Sequence, residues 1–210
     1  MRKPIFILLS MLLILFPKSI LADGCCSVEK KQNCKPQSWW SKGWGTTVFS
    51  GILTSQTSSR IIQKADFGDS GIAAIAVSKE LVRFFNNRLG FEYEGQAVQH
   101  FGDQDHFELN PAILVARWWS FPWNKTLPTT IAIGDGVSIA TRTPNLERER
   151  RGKETSKVLN FVMAEITLSN PCYPNWAFVL RYHHRSGVFG TYNGVHDAST
   201  AFAAGLKYWF

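Results

Sequence analysis

The stretch Arg181-Tyr-His-His-Arg-Ser-Gly-Val-Phe-Gly190, together with the terminal Gly205-Leu-Lys-Tyr-Trp-Phe210, decides how this chain folds. Both segments alternate. Upstream of Ser186, the residues Trp176, Phe178, Leu180 and Tyr182 share one parity, and Ala177, Val179, Arg181 and His183 share the other. At the terminus, Phe202, Ala204, Leu206, Tyr208 and Phe210 oppose Ala201, Ala203, Gly205, Lys207 and Trp209. Successive side chains of a strand point to opposite faces, so each segment predicts a strand with one large apolar face. The opposite face carries Arg181, His183 and Lys207. In a membrane barrel the apolar face meets lipid and the polar face lines the lumen.

Working outward, the same reading yields eight strands, at 44–56, 71–85, 88–101, 106–119, 128–142, 157–169, 175–187 and 199–210. The expected fold is all-β: an eight-stranded antiparallel transmembrane β-barrel over residues 44–210. An even strand number puts both termini on one side. Asn86-Asn87 and the segment Asn170 to Pro174 read as short turns on that side, and the long connectors 57–70 and 143–156 fall on the other. Connector 102–105 is short for its side. Asp135 has the parity of Ile131, Ile133 and Val137, but the flanking Gly134 and Gly136 allow a bulge that resets its facing. Glu165 has the parity of Phe161 and Met163. Both acids read as lumen charges, with a fallback role as site carboxylates.

The chain opens Met1-Arg2-Lys3, runs apolar from Ile5 to Phe16 and reaches Ala22 before turning polar. That pattern predicts a secretory signal peptide at 1–22, followed by a periplasmic lead-in at 23–43. Eight Trp and fifteen Phe occur at a mean hydropathy of −0.10, the signature of alternation rather than of long apolar runs. The net charge of +7 would admit nucleic acid, but an exported chain does not meet it; an anionic surface such as lipopolysaccharide suits it better. Cys25, Cys26, Cys34 and Cys172 permit disulfides, with Cys172 on the side of the other three. Their spacing matches no common zinc pattern, so neither metal nor organic cofactor is expected.

A soluble eight-stranded barrel or a sandwich would also explain the alternation and the leader. It would not explain Tyr208-Trp209-Phe210. That ending resembles the C-terminal signal by which the barrel-assembly machinery recognises its clients, here through Phe210. The expected location is the outer membrane of a Gram-negative bacterium.

His184 and Ser186 are two apart, so they share a face, and parity makes it the lipid face at the extracellular end. Polar groups there cost free energy unless they are partnered. One reading is an interfacial polar girdle. The other is ester hydrolysis, in which a serine needs a base and the base needs an orienting group. Eight strands, a terminal Phe, the "HHRSGVFG" stretch and the "GLKYWF" ending together resemble the PagL-type lipid A deacylases. The resemblance implies an outer-membrane enzyme that removes an ester-linked acyl chain from lipid A, with Ser186 as nucleophile and His184 as general base.

The family pattern has a Glu in the final hairpin. Here the nearest acid is Asp197, and Ala198 stands at the matching spacing. The family also has Asn after the serine, where this chain has Gly187. The backbone N–H of Gly187 or Val188, or Asn193, can serve as oxyanion donors, because the site needs donors rather than one side chain. Arg148, Arg150, Arg151 and Lys153 in the outer connector suit lipid A phosphates, or simply form a solvated loop. His183 points inward as a lumen packing residue. Trp118, Trp119 and Trp123 read as an interfacial aromatic girdle. The competing functional class is a non-catalytic barrel for anchoring or adhesion, or a relative that has lost activity.

Overall fold

A computed structural model describes residues 43–54, 67–144, 155–188, 190–192, 194–195 and 198–210. The predicted signal peptide and lead-in lie outside these residues, apart from Gly43. The strands are β1 (Trp44–Thr54), β2 (Phe67–Phe84), β3 (Leu89–Phe101), β4 (Phe107–Trp118), β5 (Thr129–Ala140), β6 (Val158–Asn170), β7 (Tyr173–Ser186) and β8 (Thr200–Trp209). Each pairs antiparallel with the next, and β1 pairs with β8, closing the barrel. Closure leaves no sheet edge to be capped. The last residue takes part in it: Phe210 N–H donates to Trp44 O at 3.0 Å, and Trp44 N–H donates to Phe210 O at 3.3 Å.

Both termini of the barrel lie at one end, with the turns after β2, β4 and β6. The turn after β2 uses Asn86 and Asn87 at φ 53° and 66°, a left-handed conformation that Asn tolerates better than most residues. Cys172, in the turn after β6, is disulfide-bonded. The other three cysteines lie outside the described residues.

The facing follows the predicted alternation. Trp176, Phe178, Leu180, Phe202, Tyr208 and Phe210 are exposed on the exterior, as are Val48, Ile75, Leu114 and Ile133 around the barrel. The aromatic members other than Phe202 gather toward the terminus end, where Trp176 and Tyr208 lie 4.8 Å apart and Tyr208 and Phe210 6.0 Å apart. Trp118 and Trp123 also face outward there, as expected of a girdle. Trp119 does not. It is buried against Arg83 and Trp209, with the Arg83 guanidinium 4.4 Å from its ring centroid.

The lumen is filled with charge. Arg117 donates to Glu92 at 2.6 Å and to Glu165 at 2.8 Å, and Arg181 donates to Glu94 at 2.8 Å and to Glu165. Lys207 lies 3.7 Å from Glu92 and 3.6 Å from Glu165. Three cations thus face three carboxylates, all buried. In so narrow a barrel, side chains rather than water occupy the centre.

Two bulges make this interior possible. On β4 the register slips between Leu109 and Ala112, so Glu108 and Asn110 face inward before the slip and Ile113, Val115 and Arg117 after it. On β2 the register slips between Glu80 and Val82. Glu80 and Arg83 can therefore pair in a bidentate ion pair at 2.7 and 2.6 Å. An extra residue reverses facing beyond it, which strict alternation cannot provide. The expected reset at Asp135 is absent. β5 pairs with β6 in unbroken register and Asp135 faces outward, which corrects its reading as a lumen charge. Glu165 is a lumen charge, and Phe161 and Met163 share its inward face in a buried apolar cluster.

Candidate active site

His184 and Ser186 stand on the outer face of β7, near the end away from the termini. Their exterior rows can be read from the register. One row runs Thr54, Thr200, His184, Val162, Asp135 across β1, β8, β7, β6 and β5. The next runs Ser186, Asn160, Val137 across β7, β6 and β5. Below them the exterior of β7 and β8 is Tyr182, Leu180 and Phe178 and Phe202, Ala204 and Leu206, down to the aromatic belt. From Tyr208 to Thr200 the strand rises about 27 Å, or about 21 Å along the axis at a tilt of about 40°. The apolar band of an outer-membrane barrel is about 25 Å tall, so the polar rows lie at its far border.

These polar groups are partnered. His184 Nδ1 and Thr200 Oγ1 are 2.8 Å apart. In the tautomer with the proton on Nδ1, the imidazole donates and the hydroxyl oxygen accepts. Tyr182 stacks on the His184 ring at 5.7 Å, one row nearer the belt. Asn160 Nδ2 donates to Asp135 Oδ1 at 2.8 Å. The N–H of Val188 donates to Ser186 Oγ at 3.1 Å. His184, Thr200 and Asn160 are 8%, 1% and 7% exposed, whereas Ser186 is half-buried and Asp135 open. The constellation is thus sheltered on the histidine side and accessible on the serine side.

The connector after β7 holds the serine in place. Val188 adopts φ 48°, and Tyr192 N–H donates to Gly187 O at 3.0 Å, curling the chain back over the strand end. A Cβ on Gly187 would meet Val195 O at 1.7 Å, so only glycine fits this crossing. Val195 and Ala198 pack on Leu159, which fixes the connector against β6.

Of the residues singled out from sequence, His184, Ser186 and Gly187 are together here. Asn193, Asp197, Arg148, Arg150, Arg151 and Lys153 lie outside the described residues. Ala198 is buried in the Leu159 cluster. Thr200 and Asn160 were not singled out. The only sequence signal for Thr200 is its parity with Phe202 at the start of β8. Asn160 meets Ser186 through strand register, which no local spacing encodes.

No sequence-family model matches this chain, and no curated protein sequence matches it. Solved structures do match. The crystal structure of the outer membrane enzyme PagL aligns with a TM-score of 0.51 at 13% identity, covering 79% of this chain and 99% of that one. Neisserial surface protein A aligns with a TM-score of 0.49 at 12% identity, covering 80% and 97%. This is the fold of an outer-membrane barrel protein. Its apolar exterior, aromatic belt and charged, filled lumen suit that membrane and no aqueous compartment. At such identities the likeness carries the fold alone.

Proposed function

We propose that this outer-membrane barrel is a serine esterase that removes an ester-linked acyl chain from lipid A of lipopolysaccharide. The observation that carries the reading is the Thr200 hydroxyl on Nδ1 of His184, with the Ser186 hydroxyl two residues further along the same face. A histidine held at Nδ1 presents Nε2 as its basic nitrogen, which is what a serine nucleophile needs. Nε2 takes the Ser186 proton as Oγ attacks the ester carbonyl. The leaving alcohol receives that proton, and the acyl-serine is then hydrolysed by water activated in the same way.

Asn160 and the backbone amides of Gly187 and Val188 are the donors assigned to the oxyanion. Asn193 as a further donor, Asp197 as an acid of the same connector, and Arg148, Arg150, Arg151 and Lys153 as phosphate contacts complete the proposal. The height of the polar rows at the border of the apolar band suits an ester buried just below a lipid head group.

The test is mass spectrometry of lipid A from cells making the wild type or Ser186→Ala. Loss of one acyl mass with the wild type alone supports the esterase. Unchanged lipid A in both, with the barrel folded in the outer membrane, sinks it. Two features favour the runner-up, a barrel without this activity. Among the described residues, the group facing Nδ1 is the Thr200 hydroxyl, and Ser186 Oγ is engaged by Val188 N–H.

A further inference from the structure

Inside the barrel, behind the outer-face site, three side chains from three strands converge. His100 Nε2 lies 2.8 Å from Glu108 Oε2, and His183 Nε2 lies 3.2 Å from Glu108 Oε1. The ligand atoms of the three all fall within 4.8 Å of one another. His100, Glu108 and His183 are 1%, 0% and 2% exposed. We infer that this cluster is a binding site for a transition-metal dication of the zinc type, held by His100 Nε2, Glu108 and His183 Nε2.

The second observation is a hydrogen-bonding deficit. Both ring nitrogens of His183 and Oε1 of Glu108 are buried and make no hydrogen bond, although Nε2 and Oε1 face each other. Buried polar atoms are almost always satisfied, and two such atoms turned toward one point call for a third group there. A metal ion supplies it, because it takes the lone pairs of imidazole and carboxylate directly. Two imidazoles and one carboxylate are a known zinc ligand set that leaves a position open for water.

The surroundings support ligation by His100 as well. Gln104 lies with its amide nitrogen 3.2 Å from His100 Nδ1, while its own Oε1 has no partner. Turning that amide over lets Nδ1–H donate to Oε1 and leaves Nε2 unprotonated for the metal. Arg185 selects the kind of ion. Its Nε lies 3.9 Å from Glu108 Oε2, and the guanidinium is anchored to Ser138 Oγ at 2.9 Å and Lys157 O at 3.1 Å. With one carboxylate and a fixed cation beside it, the cluster is unfit for calcium or magnesium, which need several oxygen ligands. Nitrogen-preferring ions are left. His106 stacks on His100 at 4.1 Å and lines a cleft with Asp103, Asp105 and Arg142, so one buried ring separates the cluster from that cleft.

The experiment uses the full chain folded in detergent, stripped with chelator, equilibrated with Zn²⁺ and freed of excess by gel filtration. The expected result is one Zn²⁺ per chain above whatever Glu108→Gln and His183→Ala retain. Co²⁺ should give the visible absorption of a tetrahedral nitrogen and oxygen site in the wild type alone. Gln104→Ala should keep the site but weaken it about 10–100-fold, as expected for an outer partner of a ligand. Glu108→Gln preserves shape and guards against misfolding, which the shift between unheated and heated gel bands reports. Equal zinc uptake by the wild type and a folded Glu108→Gln barrel would overturn the assignment, as would no stoichiometric uptake by the wild type.

Discussion

The imidazole of His184 on β7 and the hydroxyl of Thr200 on β8 face each other directly across the strand pair, 2.8 Å apart on the exterior of the barrel. Thr200→Val keeps the shape and removes the hydrogen bond. It should lower deacylation by about 10–100-fold, a fraction of what positioned acid–base groups supply. Thr200→Ser should restore most of it. Lipid A mass spectra over a time course check this; equal rates in Thr200→Val and the wild type would remove Thr200 from the mechanism.

Asn160 is the register partner of Ser186 and is held by Asp135 at 2.8 Å. If its amide meets the oxyanion, Asn160→Ala should lower kcat by about 10²–10³-fold with little change in KM. Asp135→Asn should cost less, since the donor stays and only its tether weakens. Kinetics on a soluble ester in detergent separate the two constants. A change confined to KM would make Asn160 a binding residue instead.

Gly187 crosses beneath Val195, with no room for a methyl group. Gly187→Ala should open the connector after β7 and abolish activity, while the strands keep their pairing. The expected outcome is a barrel with wild-type gel migration and thermal midpoint that leaves lipid A untouched.

Glu165 joins Arg117, Arg181 and Lys207 in the lumen. Glu165→Leu leaves three buried cations facing two carboxylates. Removing one partner of a buried ion pair costs about 3–5 kcal/mol, so the urea midpoint of the folded barrel should fall clearly. Glu165→Leu combined with Arg117→Met should recover part of that loss, because the network is neutral again.

The sequence by itself determined the eight strands, their facing on β7 and β8, the outward aromatic belt and the shared face of His184 and Ser186. All of these depend on the two-residue period of a strand, which is local. The tertiary structure alone decided the rest. The bulge on β4, at Pro111, reversed facing partway along the strand and brought both Glu108 and Arg117 inside, and the bulge on β2 let Glu80 pair with Arg83; strict alternation encodes neither. Asp135 stayed outward because no bulge formed beside its glycines. Thr200 reached His184, Asn160 reached Ser186, and His100, Glu108 and His183 met in the lumen through register. Register is set by turn lengths and closure around the whole barrel, so residues far apart in the chain become neighbours only once the last strand has paired with the first.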